Sequence, residues 1–171
     1  MVTNGEPGLV NMALAQVGET NTDLVPNPCA EIIMEPFEPC CLGHVNLAHY
    51  GNDMSGAAEA CRLMAKFLVR ATFAAIDDPR QRAVVDRNRR IGVGLTGFTE
   101  WGAAHGYRYS QIARSEIMGT KLGVLKNEAV RAADQYAAAL GIPAPIKHTC
   151  VAPTGTVSTL PGVTSGIQSP F

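Results

Sequence analysis

No stretch of this chain approaches the roughly 18 consecutive apolar residues of a membrane-spanning helix, and the N-terminus lacks the charged and apolar regions of a signal peptide. A cytoplasmic location with no membrane partner is the expectation. An excess of one charge sign is missing as well: 14 Lys and Arg against 15 Asp and Glu leave a formal net charge of −1, with no overall pull toward nucleic acid or anionic lipid. The local basic run Arg80, Arg82, Arg87, Arg89 and Arg90 reads as a solvated helix face. Internal repeats and low-complexity tracts are absent. So is the even, spaced cysteine framework of a small secreted domain, because the cysteines number five and two are adjacent. Reduced thiols follow. In a reducing compartment clustered cysteines are more often catalytic or metal-binding than structural, which singles out Cys29, Cys40 and Cys41.

What is present suits one ordinary soluble domain: 171 residues, 46% hydrophobic and 17% charged. Gly8–Leu14 and Glu31–Met34 read as short strands, separated by a polar, proline-containing stretch from Gly18 to Pro28, and Val45–Tyr50 reads as a third extended piece. Ala57, Ala60, Cys61, Met64, Phe67, Leu68, Ala71 and Ala75 recur at helical spacing, which predicts a helix from about Ser55 to Ile76, capped by Ser55 and ended by Asp77-Asp78-Pro79. A short polar helix runs to about Asn88, a buried glycine-rich strand spans Ile91–Gly97, and a short helix spans Phe98–His105. A long helix follows from about Gln111 to Leu140, stopped by Gly141 and Pro143. His148–Ala152 is a strand entering Pro153-Thr154-Gly155-Thr156. Strands alternating with helices predict an α/β fold with a largely parallel sheet. Cys61, on an apolar helix face, and Cys150, in an apolar run, read as small core residues.

Two clusters could do chemistry. Asn27-Pro28-Cys29-Ala30-Glu31 offers an amide, a thiol and a carboxylate at alternate positions, and Cys40 follows eleven residues beyond Cys29. In an extended chain those three side chains share one face, about 6 to 7 Å between neighbours. Pro28 cannot donate to a sheet ladder, so a loop or strand end is the better placement, which an ordinary Asn-Pro turn would also produce. A zinc site from Cys29, Cys40, Cys41 and His44 competes, but C-x-x-C knuckles are lacking and adjacent Cys40 and Cys41 cannot easily both face one tetrahedral ion. His44, His49, His105 and His148 each read as surface or loop residues rather than as a catalytic base. In the second cluster Thr154, Gly155, Thr156 and Val157 directly follow a strand, where backbone N–H groups could hold an anion or simply make a turn. Gly92-x-Gly94-x-x-Gly97 matches a dinucleotide fingerprint by letters. Position 117, where that fold wants an acid, is Ile, so close packing within a sheet is the reading.

Taken together, Asn4-Gly5-Glu6-Pro7-Gly8, Asn27-Pro28-Cys29-x-Glu31, Cys40-Cys41-Leu42, Asn88-Arg89-Arg90-Ile91-Gly92-Val93-Gly94 and Ala152–Ser158 with Pro161–Thr164 resemble the catalytic barrel of ribonucleotide reductases. The resemblance is greatest to the adenosylcobalamin-dependent (class II) ribonucleoside-triphosphate reductases. It implies part of a ten-stranded α/β barrel of the ribonucleotide reductase and glycyl radical enzyme type, with a radical cysteine loop at about 24–43 and a phosphate-binding turn at about 152–158. By that resemblance Cys29 is the residue that becomes a thiyl radical, Glu31 the base at the 3′ hydroxyl, and Asn27 the amide that orients the substrate hydroxyls. Cys40 is one thiol of the reducing pair, and Thr154, Gly155, Thr156 and Val157 cradle substrate phosphate. A class I reductase shares the triad, but the gap between Cys29 and Cys40 and the Asn88–Gly94 segment favour the cobalamin type.

The resemblance further implies a ribonucleotide substrate, adenosylcobalamin held mainly by parts outside this chain, a thioredoxin-like reductant, complementary reductase segments, and no resident metal. The family's barrel begins well before Met1 and continues past Phe171, so the second reducing cysteine lies elsewhere. Ala30 stands where glycine is usual, which restricts the loop if that position needs positive φ. His44 replaces a usual small polar residue, and Gln168 an acidic or histidine residue.

Overall fold

Parallel strands cannot be joined by a tight turn, and the segment between Asn46 and Gly92 supplies the helical crossover that lets two of them pair. In the computed structural model, which describes residues 9–168, strand β3 (Leu42–Asn46) and strand β4 (Gly92–Thr96) run parallel, with Leu42 opposite Gly92 and Asn46 opposite Thr96. Thr149 bridges Val93 in parallel on the other side of β4. The Asn4–Gly8 motif lies outside the described residues.

Before the sheet come a one-turn helix α1 (Met12–Ala15) and a small antiparallel hairpin, β1 (Val25–Pro26) with β2 (Ile33–Met34). The strand expected over Gly8–Leu14 is therefore replaced, in its described part, by the start of α1. Asn11 caps that turn by accepting from the Leu14 N–H, an option that competes with extended structure. The extended piece expected over Val45–Tyr50 is β3 followed by a 3₁₀ turn, Leu47–His49, where the Asn46 side chain accepts from the Ala48 N–H.

The crossover is helix α2 (Met54–Ala71) and helix α3 (Pro79–Asn88). α2 starts one residue earlier than the sequence suggests because Asp53, not Ser55, caps it, accepting from the Gly56 N–H at 2.9 Å. It ends at Thr72 rather than near Ile76, with the Thr72 hydroxyl donating back to the Val69 carbonyl. Asp78 caps α3, and Pro79 occupies its first turn, where the missing N–H costs nothing. After β4 come α4 (Phe98–Ala104), α5 (Tyr109–Ile112) and the long α6 (Glu116–Ala139). The single helix expected from Gln111 is split because Ser115 caps a new one, accepting from the Met118 N–H. Gly141, at φ 68°, makes the expected stop.

α2 packs on α6 and on one face of the β3–β4 pair. Cys61, Ala65, Leu68 and Val69 of α2 meet Met118, Leu125, Ala129 and Ala133 of α6, with Val45 and Val93 from the sheet and Trp101 from α4. Phe67, read from its spacing as a core position, is instead 67% exposed, and Leu63 beside it is 56% exposed. β3 has no partner on its outer edge among the described residues, and no helix among them is long and apolar enough to cross a membrane.

The arginine run is corrected in part. Arg80 and Arg87 lie on the exposed helix surface, but Arg89 and Arg90 are buried at 6% and 5% exposure. Arg89 takes φ 45° at the end of α3 and turns back onto Thr72 and Asp86. Arg90 enters a group of buried carboxylates. A charge can be buried when hydrogen-bonded opposite charges surround it, and composition does not reveal those partners.

Candidate active site

Asn27 at the first position and Pro28 at the second form a β-turn, closed by the Ala30 N–H donating to the Asn27 carbonyl at 2.9 Å. The extended arrangement that would put Asn27, Cys29 and Glu31 on one face by alternation is therefore not adopted; the chain reverses between β1 and β2. Beyond the turn the Asn27 N–H donates to the Ile32 carbonyl at 3.1 Å, and the Asn27 Oδ1 accepts from the Ile32 N–H at 3.2 Å. Ala30 has φ 58°, so the position that departs from the resembled pattern does require the left-handed region.

The reversal makes Asn27 a buried hub. Its Nδ2 donates to the Cys40 sulfur at 3.7 Å, joining the hairpin to the start of β3, while Cys29 stands exposed beside it. Partial burial pushes the Cys40 thiol up, the Glu31 charge adds to this, and the Asn27 hydrogen bond opposes it. Cys41 turns the other way, its sulfur reaching the Leu68 carbonyl of α2 at 3.8 Å, and burial pushes its thiol up. That opposition is the geometric difficulty for a zinc site on Cys29, Cys40, Cys41 and His44. Among the described residues no three His, Cys, Asp or Glu side chains converge as a metal site.

Glu31 is the common electrostatic neighbour of this region. Its Oε2 is buried without a partner among the described residues. Burial pushes the His44 imidazole below its ordinary value, with the Glu31 charge opposing. The His44 ring lies across Gly94, where a Cβ would come within 2.5 Å of its Cδ2. Burial first, then the charges of Glu31 and Cys40, push the Cys150 thiol up to about 12. Cys150 is thus no plain core residue. It is half-buried, its sulfur lies over Gly92, and with Glu31 it borders a cavity of about 540 Å³ walled by Val93, Leu95 and Leu125. The strand expected over His148–Ala152 is reduced to the isolated Thr149 bridge to Val93, and that bridge is what brings Cys150 over Gly92.

Gly92 and Gly94 lie inside β4, facing Leu42, His44 and Cys150, and only Gly97, at φ 66°, stands between strand and helix. Close packing accounts for the glycine pattern.

Four residues beyond Cys150 the chain turns. Thr154 is buried at φ 50°, its hydroxyl accepts from the Gly166 N–H at 2.6 Å, and its carbonyl accepts from the Ser158 N–H at 3.0 Å. Gly155, Thr156 and Val157 are exposed, and their N–H groups have no acceptor among the described residues. An extended chain covers about 3.3 Å per residue, so Thr154 lies within about 13 Å of Cys150. Gln168 offers its carbonyl to the Thr99 hydroxyl at 3.2 Å, beside this turn.

The family described as ribonucleotide reductase, barrel domain, matches residues 9–147, and the chain belongs to that family. It is 46% identical over 99% of its length to a Mycobacterium phage D29 protein provisionally named adenosylcobalamin-dependent ribonucleoside-triphosphate reductase. It is 30% identical over 96% of its length to the adenosylcobalamin-dependent ribonucleoside-triphosphate reductase of Levilactobacillus brevis. Those matches cover 25% and 26% of the relatives, so the chain spans about a quarter of their length. A crystal structure of a B-12 dependent (class II) ribonucleotide reductase superposes with a TM-score of 0.69 at 28% identity, covering 84% of this chain and 23% of that one. The Actinobacillus ureae class Id ribonucleotide reductase alpha subunit superposes at 0.75 over 96% of this chain and 36% of that one; at 18% identity this speaks for the fold alone. The two paired strands and their helices are thus part of a reductase barrel domain rather than a closed barrel.

Proposed function

We propose that this chain supplies the radical-cysteine segment of a cytoplasmic, adenosylcobalamin-dependent ribonucleoside-triphosphate reductase. The observation that carries the reading is the hairpin hub: Asn27 binds Cys40, Cys29 stands exposed beside it, and Glu31 keeps a buried, unpartnered carboxylate oxygen. An unpaired carboxylate oxygen out of water is costly unless a ligand supplies its partner. Adenosylcobalamin, held by parts outside this chain, would supply the one-electron oxidation of Cys29, and the exposed tip of the hairpin leaves that sulfur reachable.

The Cys29 sulfur radical takes the hydrogen from ribose C3′, forming an S–H bond and leaving the unpaired electron on carbon. Glu31 accepts the 3′ hydroxyl proton, and the Asn27 amide orients the hydroxyls without adding charge. The 2′ hydroxyl leaves as water, taking its proton from the Cys40 thiol. Cys40 and a second thiol outside this chain pass to a disulfide, supplying two electrons and two protons, one proton leaving in the water and the other ending in the new C2′–H bond, while Glu31 returns its proton to the 3′ oxygen. Cys29 then returns the hydrogen to C3′. The free N–H groups of Gly155, Thr156 and Val157, turned outward by Thr154, hold the substrate phosphate. A thioredoxin-like protein reduces the disulfide, and complementary reductase segments complete the barrel against the open edge of β3 and the exposed Leu63 and Phe67.

The test is a chimera in which this chain replaces the matching quarter of the phage D29 relative. Cobalamin-dependent reduction of a ribonucleoside triphosphate, abolished by Cys29→Ser, is the expected result. A folded, cobalamin-binding chimera without reduction, or one whose activity survives Cys29→Ser, overturns the reading and leaves an inactive segment.

A further inference from the structure

The segment from Glu19 to Cys40 carries the proposed chemistry, yet its only regular structure is two strands of two residues each. Leu24, Ile32 and Met34 are its buried apolar anchors. Fixing an irregular chain costs roughly 1–2 kcal/mol of conformational free energy per residue, so so few anchors leave its position to be set by something else. The polar contacts supply it.

Three carboxylates of the segment, Glu19, Glu35 and Glu38, are 1–3% exposed. All three meet the end of α3 and the residues just after it. The Arg90 guanidinium binds Glu19 in bidentate fashion at 2.6 and 2.9 Å. Its Nε lies 3.0 Å from Glu38 Oε2, an ion-pair contact rather than an aligned hydrogen bond. The Asn88 Nδ2 donates to Glu35 at 2.8 Å and to Glu38 at 3.1 Å, so one neutral amide ties two carboxylates together. Arg87 adds an ion pair to Glu35 at 2.6 Å, and Asn21 donates to Glu35 at 3.0 Å. Burial alone would push the Glu35 carboxyl up, but the hydrogen bonds from Asn21 and Asn88 and the Arg87 charge outweigh it and hold the group below its ordinary value. Lys147, 3.6 Å from Glu19, gives three cations for three anions.

We propose that Asn88 and Arg90 are positioning residues for the Cys29 hairpin and for Cys40, acting through Glu19, Glu35 and Glu38 rather than on substrate. The catalytic part of this inference rests on the function proposed above. Cys40 follows Glu38 by two residues, so the grip on Glu38 sets where the Cys40 sulfur meets the Asn27 amide. The grip on Glu35 fixes the far end of β2, and that on Glu19 fixes the entry to β1. None of these contacts involves the turn at Thr154–Val157, so the clamp governs the reacting thiols and leaves phosphate binding alone.

Two measurements test this. In the full chain, Asn88→Ala should accelerate amide hydrogen exchange across residues 24–40 by tenfold or more while α2 and α6 exchange at wild-type rates. Unchanged exchange in that segment, or equal acceleration in α2 and α6, overturns the proposal. Should Asn88→Ala not fold, Arg90→Lys, which keeps the charge but grips only one carboxylate, gives the same comparison. In the chimera, Asn88→Ala should lower kcat at least tenfold with KM for the nucleotide within twofold, and Arg90→Lys should retain more activity than Arg90→Gln. A raised KM at unchanged kcat overturns it. An inactive wild-type chimera counts against the proposed function, while the exchange comparison still decides the positioning.

Discussion

Replacing Ala30 with glycine should stabilise the protein. Ala30 closes the Asn27–Ala30 turn with φ 58°, a region where the Cβ of an L-residue crowds the backbone. The left-handed conformation costs such a residue about 1–2 kcal/mol, a penalty glycine escapes. Against this, glycine leaves the unfolded chain freer, which takes back roughly 0.4–1 kcal/mol. The difference favours Ala30→Gly by about 0.5–1 kcal/mol. For a chain of this size each kcal/mol moves Tm by about 2–4 °C, so a rise of about 1–4 °C is expected. Thermal unfolding followed by circular dichroism reads it, with Ala30→Val as the opposing control, since a β-branched side chain tolerates positive φ worst. A lower Tm for Ala30→Gly, or an unchanged one for Ala30→Val, would refute the strain argument.

Thiol labelling at neutral pH should separate the cysteines. Exposed Cys29 reacts first, Cys40 more slowly because its thiol is pushed up, and Cys61 and Cys150, raised to about 11 and about 12, resist until the protein unfolds; mass-spectrometric mapping showing Cys61 labelled as fast as Cys29 would contradict the packing. Asp78 is held at about 2, below its ordinary 3.8, first by the Arg80 side chain. A lowered carboxyl stabilises above the ordinary value and loses that contribution as pH falls from 3.8 toward 2, so acid titration of stability should show a shallower limb in Asp78→Asn. Gly94→Ala should destabilise by about 1–3 kcal/mol in urea titration, because the added methyl meets the His44 ring at 2.5 Å; a neutral effect would mean that the ring moves freely.

Much of the scaffold was legible because its periodicity was unambiguous. The core positions Ala57, Cys61 and Leu68 of α2, the glycine-rich strand and the short helix after it all fall where hydrophobic spacing puts them. Helix ends were less legible, since Asp53 and Ser115 win their caps by local geometry that other serines and aspartates in the sequence could equally have supplied. The Asn27–Glu31 cluster was found by its residue types, but alternation was the wrong reason for it. A turn closed by Asn27 assembles those groups, and Pro28 was the available hint. The carboxylate clamp was not legible because Glu19, Glu35 and Glu38 are ordinary acids until Asn88 and Arg90 arrive from fifty or more residues away. Arg90 read as a surface charge for the same reason.

Cys40 and Cys41 are neighbours in sequence that look in opposite directions, one toward the hairpin and the other into the helix behind the sheet. A sulfur–sulfur bond of about 2 Å cannot span that divide without twisting the chain just before β3. Oxidising equivalents that reach Cys40 therefore have no escape route next door. A disulfide partner for Cys40 would have to be another sulfur than its neighbour's, even though the two thiols remain close enough for Cys40 to help push Cys41 up.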